Sequence, residues 1–420
     1  MGLCPKVLIL FLLIIAPPLT QTGCWDQQEV EKMGIVLTTA LDQAPDGRVR
    51  LTAQIINPKA LAGGSGLGGG GGIGGVSRPY RNISTEGSTV LDCIRLLSLY
   101  SPYQLFFAHN QTLLISEELA RNRGIEELLD FFDRNPQIRR SAWILISRSD
   151  ISSVMELPGE TQVPSSQRIA NIIRQQRLSS YYPDIQLGDF LESLETEGSD
   201  VFTMGIQVEP NETEVRDQLA GDSSRGGERL KTIGALVKIG GTAVFNGNRL
   251  AGWLNERESR GLLWVKGQVK EGVISVPCSM EKTLGQNQSL SLEILRSKSR
   301  IHPEFIDGKL SVTVKVEAST NIQEAECMEE LNQPEVIRSI EEALASAIQI
   351  EVEAALAKAQ HEYHADVFGF GEAVHRKYPG VWKELKADWP KTYQDLPVYV
   401  EIDAKIARTG LVTKPVEVHR

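Results

Sequence analysis

The chain has little with which to hold a nucleic acid, cross a membrane or bind a catalytic metal. Its 44 Lys and Arg are outnumbered by 54 Asp and Glu, giving a formal net charge of −10. No basic cluster interrupts that balance, so the phosphate-neutralising surface on which nucleic-acid binding depends is missing. The same deficit excludes electrostatic docking on anionic lipid. The apolar run over residues 7–16 is about half of the ~20 residues needed to span a bilayer, which excludes a transmembrane helix there. Of the five cysteines, Cys93, Cys278 and Cys327 lie far apart and form no metal or redox spacing. They read as buried thiols, with a Cys278 to Cys327 bridge as the alternative.

Catalytic signatures are equally scarce. His361-Glu362-Tyr363-His364 places its histidines three apart, whereas a zinc-protease helix needs them four apart with Glu directly after the first. His361, His364 and His375 share a helical side at most, and no metal or cofactor is expected. Glu126-Glu127, Glu329-Glu330 and Glu341-Glu342 are adjacent in helical patterns, where neighbours point apart, so they give no paired-carboxylate site. There is no Gly-x-Ser-x-Gly elbow.

What is present begins with a leader. Lys6, the apolar run, Pro17-Pro18 and small or polar residues up to Gly23-Cys24 follow the order of a secretory signal. The Gly23-Cys24 pair resembles the lipobox of bacterial lipoproteins, with Gln21 where that motif takes an aliphatic residue. The resemblance implies a signal peptide over residues 1–23, cleavage after Gly23, and a diacylglyceryl group on Cys24. The alternative is a secreted protein with an ordinary thiol there. Two acyl chains are about what stable anchoring needs.

The chain is 41 % hydrophobic and 23 % charged, a globular composition, and without its leader it is still too long for a single core. Residues 24–148 read as a mixed α/β domain. In it, strands at 33–41 and 48–56 flank Pro45-Asp46-Gly47, helices cover 89–99 and 125–132, and buried strands lie at 113–116 and 142–146. The glycine-rich stretch at 63–75 lacks the Lys-Ser or Lys-Thr closure of a phosphate loop and reads as a surface excursion. Residues 149–209 read as a small middle domain of short helices, and 210–229 as a polar linker. Residues 230–409 then give a third domain with a tail at 410–420. It opens with an Asn246-Gly247 hairpin and continues with strands at 261–267, 290–295 and 310–316. A long helix starts at Pro334, with Ile340, Leu344, Ile348, Val352 and Ala355 in one stripe, and an alternating strand covers 398–406. The expected class is α+β in three mixed domains, the last an antiparallel sheet packed on one long helix.

Three groups of residues then belong together: Gly23-Cys24-Trp25-Asp26; Gly252-Trp253-Leu254 with Glu258-Ser259-Arg260-Gly261-Leu262-Leu263-Trp264; and Asp366-Val367-Phe368-Gly369-Phe370-Gly371-Glu372 with Trp382 and Trp389. In this order the chain resembles the Ger(x)C family of spore germination lipoproteins, the C subunits of nutrient germinant receptors. The resemblance implies a non-catalytic subunit on the outer face of the spore inner membrane. It would work beside an A subunit with membrane helices and a B subunit similar to amino-acid transporters. Trp253, Arg260, Trp264, Phe368 and Phe370 become candidates for partner contact or for packing. The competing class is a secreted lipoprotein that binds a solute or hydrolyses an envelope component, for which two similar lobes or a convergent catalytic set would be expected.

Overall fold

The computed structural model describes residues 33–56, 80–156, 164–176, 178–213, 232–278, 289–326, 331 and 333–408. The leader, Gly23, Cys24, the glycine-rich stretch, Cys327 and the tail lie outside them. Strands β1 (Met33–Gln43), β2 (Val49–Ile56) and β3 (Tyr80–Gly87) form an antiparallel start. Helix α1 (Val90–Leu97) follows, capped by the Thr89 hydroxyl, which accepts from the Asp92 amide. Short strand β4 (Gln104–Phe106) runs parallel to the first residues of β1. Then come β5 (Thr112–Ser116), α2 (Glu117–Asn122), α3 (Ile125–Arg134), β6 (Trp143–Ser147), α4 (Ile151–Met155), α5 (Ser165–Gln176), α6 (Leu187–Glu195) and β7 (Phe202–Thr213). β1, β5, β6 and β7 are parallel neighbours. Such strands are covered on both faces, which explains why β5 and β6 are buried at every position.

The hairpin around Asn246-Gly247 was expected to open the third domain, and the structure corrects this. Its strands β8 (Thr232–Asn246) and β9 (Arg249–Leu254) pair antiparallel with β7 and with each other, and they complete the first sheet in the order β3-β2-β1-β5-β6-β7-β8-β9. A boundary near residue 229 would therefore cut through one sheet. The middle segment has no core of its own either. Helices α4 and α5 cover one face through Ile151, Val154, Ile169 and Ile173, and α6 joins the opposite face through Leu187 and Phe190.

β8 changes faces partway along. Its register with β7 shifts between Met204 and Ile206, and Gly241 sits at φ +85°. Before the bulge Val237 and Ile239 face the α4–α5 side; after it Ala243 and Phe245 face the α3–α6 side. Val244, now turned over, joins Phe202 and Leu254 in the core of the second half of the molecule. A bulge that inserts one residue inverts every later side chain of the strand.

The second correction concerns residues 261–267, which are helical. Helix α7 (Glu256–Lys266) opens with a reciprocal capping box: Asn255 Oδ1 accepts from the Glu258 amide at 3.0 Å and Glu258 Oε2 from the Asn255 amide at 2.8 Å. It ends at Gly267, φ +65°. Its run Leu262-Leu263-Trp264-Val265 is buried on every side, so the helical period that would betray it is erased.

The second sheet comprises β10 (Val273–Pro277), β11 (Ser289–Ile306), β12 (Lys309–Ala325) and β13 (Val398–Arg408). It is antiparallel up to its last strand, which joins β12 in parallel from Val312↔Val398 to Asn321↔Arg408. A parallel neighbour needs a crossover. Here it is α8 (Pro334–Ala357), a π-helical turn Lys358–Glu362, α9 (Phe370–Lys377), α10 (Pro379–Leu385) and α11 (Trp389–Gln394). The expected stripe on α8 is buried against this sheet, with Pro334 in its first turn. Cys278 is disulfide-bonded and Cys93 is a free buried thiol; the suggested bridge to Cys327 falls on a residue outside those described.

Candidate functional site

The motif residues converge on the seam between the sheets. α7 approaches α8 so closely that a Cβ on Gly261 would lie 2.0 Å from the Glu351 carbonyl oxygen, so only glycine permits the crossing. That contact lays Arg260 and Trp264 along Glu351. The Arg260 guanidinium donates to both Glu351 carboxylate oxygens, Nε to Oε2 at 2.8 Å, and Nη1 donates to the Val273 carbonyl at 2.9 Å. Trp264 Nε1 donates to Glu351 Oε2 at 2.9 Å, and the Tyr181 ring covers the guanidinium at 5.0 Å. Arg260 and Glu351 are nine-tenths buried, so each compensates the other's lost hydration. On the same helix, the Thr242 hydroxyl donates to Ser259 Oγ at 2.8 Å, which ties α7 to β8.

Gly252 and Trp253 form a second joint. A Cβ on Gly252 would meet the Tyr363 ring at 2.2 Å. The Tyr363 hydroxyl accepts from the Trp253 amide at 3.0 Å and donates to the Trp253 carbonyl at 2.8 Å, so it mimics a neighbouring strand at the free edge of β9. Tyr363 stands immediately after the π-helical turn. The Trp253 indole points into the first half of the molecule: Nε1 donates to Glu117 at 3.0 Å and Arg148 stacks on the ring at 4.9 Å. It is half-buried.

The third joint is Asp366, which is 2 % exposed. Its carboxylate accepts from the amides of Gly369, Phe370 and Gly371 at 2.8–3.0 Å and from Trp389 Nε1 at 3.1 Å. It thereby satisfies the first orphan amides of α9 and holds the two glycines of the Phe-Gly-Phe-Gly turn, Gly369 at φ +78°. Asp200, just ahead of β7, accepts from the Asp366 amide at 2.7 Å and from the Gly247 amide at 2.8 Å. Burial pushes the Asp366 carboxyl up to about 6, with the Asp200 charge adding to it and the donors opposing; burial raises Asp200 as well. Phe368 stacks on Phe370 at 5.2 Å, and His375, Trp382 and Trp389 continue the aromatic series.

Arg260, Trp264, Phe368 and Phe370 are thus buried among this chain's own residues, and Trp253 reaches the first sheet. Cys24 and Gly23 lie outside the described residues. His361 and His364 are exposed and His375 stacks on Trp382; no group able to hold a metal occurs among the described residues. Glu351, Asp200, Tyr363 and Glu117 escaped the sequence reading. Glu351 had a signal, a carboxylate beside Ile348 and Val352 on the inward stripe of α8, which requires a buried cation.

These joints define a class: a mixed α and β protein of two unlike sheets whose best-satisfied polar groups lie inside the chain, at the seam. Residues 26–208 match the family described as spore germination protein N-terminal domain, and residues 240–410 the spore germination B3/GerAC-like C-terminal family. The chain belongs to the Ger(x)C family of spore germination proteins. It is 28 % identical to spore germination protein KC of Bacillus subtilis (strain 168) over 98 % of this chain and 97 % of that one, and 22 % identical to spore germination protein B3 of the same organism over 97 % and 99 %. The solved GerBC protein superposes with a TM-score of 0.53 at 19 % identity, covering 88 % of this chain and 96 % of that one, and so shares its fold.

Proposed function

We propose that this protein is the C subunit of a nutrient germinant receptor, acting without turnover of substrate. In this reading Cys24 carries a lipid that holds it on the outer face of the spore inner membrane, beside integral-membrane A and B subunits. The observation that carries the receptor role is similarity to spore germination proteins along almost the whole of both chains. A subunit whose work is to hold others needs a rigid body, and the buried joints at Glu351, Tyr363 and Asp366 supply one. The disulfide at Cys278 supports folding outside the reducing cytoplasm. No helix among the described residues is long and apolar enough to cross a membrane.

The test is recovery from detergent-solubilised spore inner membrane. The wild-type protein should bring down two integral-membrane partners, and its loss should abolish the response to one set of nutrients while sparing others. Recovery of the protein alone, with every nutrient response intact in its absence, would contradict the assignment. Cys24→Ala should move the protein from the membrane to the soluble fraction; intact variant that survives a high-salt wash on the membrane argues against the lipid anchor.

A further inference from the structure

The turn from α1 into β4 carries an apolar surface that the seam and its joints do not use. Leu96, Leu99, Tyr100 and Tyr103 are exposed there, Leu99 at 77 % and Tyr100 at 62 %. Although charged residues are 23 % of the chain, no Asp, Glu, Lys or Arg occurs from Leu96 to Ser116. Leu96 and Tyr100 lie beside Arg50 and Glu86, which pair with each other at 2.8 Å, so the large exposed side chains meet only a matched pair; such a patch marks a surface that something else covers.

What covers it follows from where the chain enters the fold. β4 pairs in parallel with the first residues of β1, Met33 opposite Gln104 and Gly34 opposite Leu105. A Cβ on Gly34 would lie 3.4 Å from Tyr103 Cβ, so the patch borders the point at which the described chain begins. From Cys24 to Met33 a fully extended chain reaches about 30 Å at most, against roughly 50 Å across a body of this length. A lipid on Cys24 therefore keeps this end of the molecule near the bilayer. Tyrosine has the ring and hydroxyl that suit the headgroup boundary, and leucine fills the acyl side.

We propose that the α1–β4 turn is the membrane-facing surface of the protein, with Leu99, Tyr100 and Tyr103 seated in the interfacial layer of the bilayer that holds Cys24. The proposal rests on the lipid-anchor reading. The four side chains carry no charge and the Arg50 and Glu86 beside them are paired, so the contact is apolar and independent of anionic lipid. It fixes which end of the first sheet faces the lipid.

The experiment uses full-length lipidated protein reconstituted in phosphatidylcholine vesicles, with an environment-sensitive fluorophore on Leu99→Cys or, as a control on the edge strand of the other sheet, on Tyr399→Cys. Both positions are exposed, so labelling leaves the core intact, and unlabelled protein of each variant should match wild-type unfolding. The Leu99 label should shift to shorter wavelength and lose intensity with brominated lipid, the Tyr399 label should do neither, and high salt should change nothing. A Leu99 label as wet as that at Tyr399, on protein shown by mass to carry lipid, would overturn the surface assignment alone and leave the patch to a protein partner. Protein that carries no lipid and stays off the vesicles would overturn the anchor and this assignment together.

Discussion

At the scale of single residues, two buried acids carry most of the consequence. Asp366 has a folded pKa of about 6, above the ordinary 3.8. Between those values the folded state holds a proton that the unfolded state has lost, so stability falls as pH rises through that window and is flat above it. The shift corresponds to about 3 kcal/mol. Asp366→Asn should flatten that fall, leaving the smaller part due to Asp200; denaturant unfolding followed across pH 4 to 7 reads it, and an unchanged slope would place the titration elsewhere. Glu351 behaves differently because its charge is matched. Glu351→Ala leaves Arg260 and the Trp264 indole without their partner and should cost about 3–5 kcal/mol. Arg260→Met combined with Glu351→Met should recover most of that loss. If the double variant is as unstable as the single, the guanidinium is not the source of the penalty.

At the scale of elements, the decisive contacts are those that close edges. Tyr363→Phe removes both hydrogen bonds to the Trp253 backbone and should cost about 1–3 kcal/mol. Faster hydrogen exchange at the Trp253 amide should accompany it, and protection equal to wild type would mean that the hydroxyl does not cap β9. Element by element, much of the fold was legible. The apolar period of α1, Pro334 at the head of α8 and the alternation of β13 each express a local rule. Allocation was not legible, because period reports which face of a strand is buried and never which strand lies beside it. The Asn246-Gly247 hairpin was evident as a hairpin, yet its place in the first sheet depends on β7 and on the bulge at Gly241. The identity of α7 was hidden by burial all round, although Asn255 and Glu258 spelled out its capping box. Of the seam, the glycines and aromatics were visible and their partners were not: Arg260 and Glu351 meet only through the fold, and Asp366 looks like any loop carboxylate until its four donors are in place.

At the scale of the whole molecule, the two halves share more than a connection. β7 and β8 stay paired from Phe202↔Val244 to Thr213↔Thr232, and Phe202, Val244 and Leu254 lie in the core of the second half. A protease site introduced between Thr213 and Thr232 should therefore yield two pieces that co-elute on gel filtration until denatured. Separation without denaturant would show that the sheet does not hold the halves together. The parallel seating of β13 beside β12 has a genetic counterpart. The strand that closes the second sheet follows the whole crossover, so a nonsense codon between positions 326 and 397 leaves β12 paired with β11 but opens its other edge from Val312 to Asn321, an edge of the kind that recruits other chains. Alleles cut anywhere within the crossover should thus be as inactive as those cut far earlier.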